Sequence, residues 1–382
     1  MIKKRYKKIV IDASRNRSGG AIIYLKNFIK HLNLENTQIK EIIIFSHKDI
    51  LDQIPNRSFL VKCSHPLLEM NRFFQIIWQF FYLTYFLKKN KTDILYSTDS
   101  TTFCNYSNSI LFNQNILSFD KQAFNQIPFS LEKIRLYVIK FVQIYSLNNA
   151  KEVIFLSDYA RKTISKYLRK NISYNIIPHG VEENFKKIDL EKLNNTTWDY
   201  NSKKKIKIIY VSPLFLYKNH QTVVKAYSRL KKKYDNLDIE FIGSYKHNLK
   251  LYNNIIDENS LINDSHFTGE LDRKDLVKTL IESDIFVFAS STETFGISLL
   301  EAMAVGMPIV CSDKSSLPEV LQNGGLYFDP KDDLQLSNQI ELLITNESLR
   351  KNKSQQARKL ALKFSWDQNT EQFCKILKRL TK

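Results

Sequence analysis

ASSTETFGISLLEAMAVGMPIVC, residues 289–311, is the stretch on which the fold turns. It is entered by an apolar run, IFVFA at 285–289, that reads as a buried strand. A polar turn follows at 290–294. Phe295 and Gly296 then open a helix over 297–305, which stops at Gly306, and Pro308 begins another apolar strand. This succession puts the helix N-terminus at the carboxyl edge of a parallel sheet. Free backbone N–H groups and the positive end of the helix dipole gather there. They suit a phosphate, and Gly296 lets a ligand approach the backbone closely. Glu293, in the turn, and Glu301, about one turn inside the helix, flank the position. An ionised carboxylate accepts from two donors at once, so the vicinal hydroxyls of a ribose or hexose are its natural match. By spacing alone, the pair also fits a first-turn acid and a surface helix residue.

The same alternation extends outward. Residues 8–12 (KIVID), 41–45 (EIIIF), 94–96, 110–112 and 153–156 (VIFL) read as buried strands, with helix-like stretches at 21–32 and 130–148. Residues 182–205 are polar and lack an apolar period, which marks a linker. Beyond them 206–211 (IKIIYV), 239–242, 285–289 and 308–311 read as strands, and 223–230, 275–282 and 297–305 as helices. Continuous apolar strands between helices indicate parallel sheets covered on both faces. The expected division is an N-terminal Rossmann-like domain at 1–181, a linker at 182–205, a second such domain at 206–365, and a C-terminal helix at 366–382 packing back toward the N-terminal domain. A ligand cleft between two such domains is expected.

At 382 residues, 43% hydrophobic and 25% charged, the composition is that of a globular α/β protein of two domains. The net charge of +18 is uneven: residues 1–200 carry 30 Lys and Arg against 17 Asp and Glu. A basic face of this kind is a solvated surface, a seat on an anionic membrane, or a nucleic-acid site. No nucleic-acid-binding signature accompanies it, so no nucleic-acid partner is expected. Cys63, Cys104, Cys311 and Cys374 are far apart, with no C-x-x-C pair, which fits a reducing cytoplasm and suggests neither disulfides nor a zinc site. The N-terminal apolar run at 9–11 is too short for a signal-peptide core. Residues 73–87 (FFQIIWQFFYLTYFL) fall short of the roughly 20 apolar positions of a spanning helix. They read as a buried helix, or one that also touches a bilayer interface through Trp78, Tyr82 and Tyr85. Gln75 and Gln79, four apart, share one face.

Glu293, Phe295, Gly296, Glu301, Ala302, Met303, Ala304, Gly306 and Pro308 stand in the register E-x-F-G-x-x-x-x-E-A-M-A-x-G-x-P. In this the chain resembles the retaining glycosyltransferases of family 4, with their E-x7-E motif and GT-B fold of two doubly wound domains facing a central cleft. The resemblance runs along nearly the whole chain: Asp12 with Gly19-Gly20, VIFLSDYARKTI, IIPHGV at 176–181, YVSPLFLYKNH at 210–220, HFTGEL at 266–271 and FDP at 328–330. It implies that Glu301 holds the donor ribose and Glu293 a hydroxyl of the transferred sugar. Backbone N–H groups of Phe295, Gly296 and Ile297 would hold sugar and diphosphate, and Lys218 would neutralise the leaving group. Gly19 and Gly20 would admit the diphosphate to the N-terminal backbone, and backbone near Thr268 to Leu271 would read the base.

Two departures stand out. Many members carry an Arg five residues before the motif Lys; here that position is Pro213, with Arg15 and Arg17 as replacements to weigh. Many carry a His near the anomeric carbon; here Asn115 is assigned that place, against a plain turn-forming Asn. His179, in the P-H-G turn, reads as structural. No D-x-D loop occurs, so no cofactor and metal-independent donor binding are expected. The resemblance thus implies a hexosyltransferase using a nucleotide-diphosphate sugar. Its acceptor would be a glycan or lipid-linked precursor of cell-surface polysaccharide, met in the cytoplasm or at the inner membrane face. A non-catalytic sugar-nucleotide-binding scaffold and an enzyme that hydrolyses or isomerises the sugar nucleotide are the rival readings.

Overall fold

The computed structural model describes residues 7–17, 19–35, 37–186, 205–258 and 265–381. Most of the expected linker, 187–204, lies outside the described residues. The chain forms two compact units: residues 1–121, 128–180 and 365–382 in the first, 122–127 and 181–364 in the second. Residues 181–364 thus lie in the second unit, and the chain from 365 groups with the first. The short segment 122–127 groups with the second unit, where Gln126 donates to Ser291 Oγ at 3.4 Å.

The first unit holds seven parallel strands: β1 (Lys7–Asp12), β2 (Ile39–Phe45), β3 (Leu60–Cys63), β4 (Ile94–Ser97), β5 (Ser109–Asn113), β6 (Glu152–Phe155) and β7 (Tyr174–Ile176), in the order β3-β2-β1-β4-β5-β6-β7. The second holds six, also parallel: β8 (Ile206–Val211), β9 (Leu237–Ile242), β10 (Ser265–Gly269), β11 (Ile285–Phe288), β12 (Ile309–Ser312) and β13 (Leu326–Phe328), in the order β10-β9-β8-β11-β12-β13. Both are doubly wound sheets whose order reverses once, between β1 and β4 and between β8 and β11. Those are the switch points at which such sheets bind ligands. Inner strands such as β4, β6 and β11 are buried at every position, as their unbroken apolar runs require.

In the first unit the stretch from Arg72 to Lys89 is helical throughout, with a π-helical turn over Trp78–Leu83. Gln75 and Gln79 are buried, and each Nε2 donates to Ser14 Oγ, at 3.1 and 3.3 Å. Gln79 also donates to Asp12 Oδ2 at 2.7 Å. These bonds anchor the helix to the loop leaving β1. Burial raises the Asp12 carboxyl above its usual range, opposed by the bonds from Ser14 and Gln79. Among the described residues no helix is long and apolar enough to cross a membrane.

The helix-like C-terminal stretch is two helices, Glu347–Ala361 and Trp366–Leu380. The chain passes from the second unit to the first at the break between them. The last helix packs on Gly20–His31: Trp366 lies 5.8 Å from Tyr24 and Phe373 stands edge-on to Phe28 at 4.9 Å. His179 is buried against Tyr24, Phe112 and Trp366, a packing position.

Burial depresses His179 to about 3, and it does the same to His220 in the second unit, aided by the Lys218 charge. Both folded values lie below the ordinary histidine value, so the unfolded chain takes up protons first as pH falls. Stability is therefore full above about pH 6.5 and is lost on acidification towards pH 3. Between pH 6.5 and 5 each histidine is expected to remove about 1.6 kcal/mol. Urea unfolding at the two pH values measures this. His220→Phe should flatten the dependence of the second unit's transition, and an unchanged slope would refute the assignment.

Candidate functional site

The loops leaving β8 and β11 meet at the switch point of the second sheet. After β8 a single 3₁₀ turn, Leu216–Lys218, ends at Asn219, which takes the left-handed conformation (φ 51°). The turn is held from three sides. Tyr210 donates from its hydroxyl to the Lys218 carbonyl at 2.6 Å. The Asn219 amide donates to the carbonyls of Tyr217 (3.1 Å) and Ala289 (2.7 Å) and to Ser291 Oγ (2.8 Å). Ser291 N–H donates to the Tyr217 carbonyl at 2.8 Å. The two loops thus form one framework, with Lys218 projecting from one and Glu293 from the other.

Lys218 Nζ and Glu293 Oε1 form an ion pair within it. Lys218 is only 8% exposed, beside the rings of Tyr217 and Phe288. A pair so shielded interacts more strongly than one in open water. Glu293 is positioned through its backbone: its N–H donates to Ser315 Oγ at 3.0 Å, and its carbonyl accepts from Ser316 Oγ at 2.9 Å.

Gly296 follows with φ 92°, a conformation a side chain would strain, and caps the helix Ile297–Val305 without any side-chain hydrogen bond. The first intrahelical bond runs from Leu300 N–H to the Gly296 carbonyl at 3.1 Å. The N–H groups of Ile297, Ser298 and Leu299 precede it and have no partner within the helix. Phe295 is buried edge-on against Phe364 at 5.4 Å, so its side chain packs while its backbone shapes the turn. The helix is apolar all round because it is buried from Leu299 to Val305.

Glu301 is buried in that helix and meets Arg273 at 2.6 Å. Arg273 also reaches Glu182 at 2.5 Å and lies over the Phe185 ring at 4.9 Å. Burial raises the Glu301 carboxyl above its usual range, against the opposing pull of Arg273. The Arg273 pKa is itself raised, the two carboxylates outweighing burial. Arg273 opens the helix Arg273–Ile281, four residues after β10 ends at Gly269. Thr268 Oγ1 donates to Glu240.

The structure therefore brings Lys218, Glu293, Phe295, Gly296 and Ile297 to one sheet edge, with Glu301 inside the same helix. Gly19, Gly20 and Asn115 belong to the first unit. Gly19 has φ 59° and open space where a Cβ would stand, and with Gly20 it begins the helix Gly20–His31. Asn115 is exposed, and its Oδ1 accepts from Leu117 N–H at 2.9 Å, a side-chain turn. Pro213 keeps its carbonyl in the loop, accepting from Phe215 N–H at 3.0 Å. Arg273 and Asn219 went unnamed as site residues in the sequence. Arg273 sits in a polar DRKDL run, and only proximity in space distinguishes it from Lys274.

Residues 195–360 match the family model described as Glycosyl transferases group 1. An uncharacterised glycosyltransferase of Methanocaldococcus jannaschii is 28% identical over 249 residues, 59% of this chain and 63% of that protein. The N,N'-diacetylbacillosaminyl-diphospho-undecaprenol alpha-1,3-N-acetylgalactosaminyltransferase of Campylobacter jejuni is 36% identical over 119 residues, 31% of each. The chain thus spans less than two thirds of the length of either relative. Sucrose-phosphate synthase from Thermosynechococcus elongatus superposes with a TM-score of 0.78 at 16% identity, covering 98% of this chain and 99% of that one. That likeness bears on the fold, which is GT-B.

Proposed function

We propose that the chain is a retaining glycosyltransferase of the family 4 type. It would move a hexose from a nucleotide-diphosphate sugar to a glycan or lipid-linked acceptor in cell-surface polysaccharide synthesis. One observation carries the reading: the shielded Lys218–Glu293 pair stands beside the open N-terminus of the helix Ile297–Val305, at the switch point of the second sheet. The helix end and Lys218 offer positive potential to a diphosphate, and Glu293 offers an acceptor to a sugar hydroxyl. The group 1 match covers all three charged residues, Lys218, Glu293 and Glu301.

In this reading Glu301 accepts from the donor ribose, with Arg273 sharing its charge. The bond from the anomeric carbon to the leaving phosphate oxygen breaks while the acceptor oxygen bonds to the same face. The acceptor proton passes to the departing diphosphate, so no protein nucleophile is needed. The protein contributes position and charge. Asn115 is proposed to act at the anomeric centre, and the Gly19-Gly20 backbone to meet the diphosphate. Donor binding is proposed to be metal-independent. The Campylobacter relative's name includes a diphospho-undecaprenol, which supports a lipid-linked acceptor here. With the basic first half, it also supports work in the cytoplasm at an anionic membrane face.

A thermal-shift panel of nucleotide-diphosphate sugars, with and without EDTA, tests the donor. At 100 times its dissociation constant the right donor adds about 2.7 kcal/mol of stability. One member should stand out, unaffected by EDTA, and its sugar should then pass to an acceptor with the anomeric configuration retained. A flat panel would overturn the reading. Donor binding without transfer or hydrolysis would favour the scaffold.

A further inference from the structure

In the first unit the crossover from β4 to β5, residues 98–108, contains no helix. The sheet face it would have covered is bordered by the helix Leu131–Asn149 and the helical stretch from Arg72 to Lys89. Between them lies a groove of about 460 Å³, lined among others by Phe80, Phe103, Tyr106, Phe141 and Tyr145. The helix Leu131–Asn149 is apolar on two faces. Leu136, Gln143 and Leu147 face the core. Ile134, Val138, Phe141 and Tyr145, at spacings of four, three and four, form a second stripe that faces outward. Leu131 is 86% exposed, Phe141 69% and Tyr145 65%. Across the groove Phe80 is 53% exposed, and its sequence neighbour Phe81 66%. A continuous apolar surface of this kind marks a binding site on a protein that is otherwise polar outside.

One end of this surface is strongly positive. Arg72 opens the stretch that continues through Phe73, and Arg135 lies one residue past Ile134. Arg15 and Arg17 come from the loop after β1, Arg17 donating to Gln75 at 3.3 Å. Burial, and the charges of Arg135, Arg17 and Arg15, pull the Arg72 guanidinium below its ordinary value against the opposing pull of Glu132, so all of these groups lie within electrostatic reach of Arg72. Arg15 pairs with Asp99 and Arg135 with Glu132, whereas among the described residues Arg72 and Arg17 make no ion pair with a carboxylate.

A cationic cluster at the head of an aromatic groove fits one chemistry. We propose that this face binds a single amphiphile, a lipid diphosphate: its head lies on Arg72 and Arg17, and its hydrocarbon chain follows Ile134, Val138 and Phe141 into the groove beside Tyr145. Two arginines present forked donors to phosphate oxygens, and the chain is drawn in by removal of apolar surface from water. The inference deepens the reading of the chain as a glycosyltransferase by naming the carrier of its acceptor.

Farnesyl diphosphate, a water-soluble lipid diphosphate, is the probe, compared by calorimetry with inorganic pyrophosphate and with farnesol. The full chain should bind it more tightly than either by about tenfold or more. Arg72→Ser should lose most of the gain over farnesol. Val138→Ser with Phe141→Ser, both at exposed positions, should lose the gain over pyrophosphate. Both variants should keep their circular dichroism and any thermal shift with the sugar-nucleotide donor. Equal binding of the three probes would overturn the proposal. So would capture only by vesicles rich in phosphatidylglycerol with no affinity for the monomer, which would make the face a bilayer seat. Concentration-dependent dimerisation abolished by Phe141→Ser would also overturn it. If no sugar nucleotide binds while farnesyl diphosphate does, the transferase reading fails and the lipid site stands.

Discussion

Lys218→Ala is expected to lower the rate of sugar transfer by about 10² to 10³, the usual loss on removing one fixed group that stabilises developing charge. The leaving diphosphate gains negative charge as its bond to the sugar breaks. If Lys218 lies opposite it, as proposed, the buried ammonium requires no reorganisation at that moment, unlike water. The fold should survive, because the 3₁₀ turn is held through the Lys218 backbone and through Asn219, not through the ammonium. Glu293→Gln is expected to reduce transfer comparably but to act differently on binding. In the structure Glu293 is paired with the charge of Lys218. With a neutral amide in its place, Lys218 is freer for a diphosphate. Affinity for the nucleoside diphosphate alone should hold or rise while turnover falls. Calorimetry with the free diphosphate and initial rates with the sugar donor separate the two quantities. Rates within about threefold of wild type in both variants would remove Lys218 and Glu293 from the reaction.

The second large effect concerns Gly180. A Cβ built there would stand 2.2 Å from the Trp366 backbone nitrogen and 2.6 Å from the Ser365 carbonyl carbon. These are backbone atoms, so no rotamer change relieves the overlap. Gly180→Ala must push the start of the last helix off its seat, where Trp366 and Phe373 are buried and Asn369 donates to the Pro178 carbonyl at 2.7 Å. Overpacking of this kind costs about 3 kcal/mol or more when neither side can yield. In a unit of this size that is a fall of roughly 10 °C in Tm. Proteolysis should then cleave near Phe364 and release the helix. A Tm within about 2 °C of wild type, with the C-terminus still protected, would show that the overlap is absorbed.

The architecture was legible wherever strands were buried on both faces. β1, β2, β4, β5, β6, β8, β9, β11 and β12 all announce themselves as apolar runs. The four strands that were not read as strands, β3, β7, β10 and β13, are the four sheet edges. An edge strand has one flank in solvent and carries residues such as Lys62, Asn175 and His266, so it lacks the run that marks a strand. The last helix was read from 366, where the helix Trp366–Leu380 begins, whereas the helix Glu347–Ala361 before it was not separated from its domain. The break at 362–365 follows from the seat waiting for Trp366, a contact distant in sequence.

The site was legible in the same uneven way. The turn and helix carrying Glu293, Gly296 and Glu301 are contiguous, so local pattern sufficed. Arg273 reaches Glu301 across 28 positions, and nothing local singles it out. Gln75 and Gln79 were correctly placed on one helix face, but that this face meets Ser14 and Asp12 is a tertiary fact.

The last helix has a consequence for biogenesis. The first unit is begun at residue 7 and completed by residues 365–381, with the whole second unit translated in between. As the chain leaves the ribosome, Tyr24, Phe28 and Tyr96 emerge early and wait, uncovered, for Trp366 and Phe373. Domains generally fold as their sequence becomes available. Here the half synthesised first is the half finished last, and a chain truncated after residue 364 would carry every residue of the second unit beside an open first one.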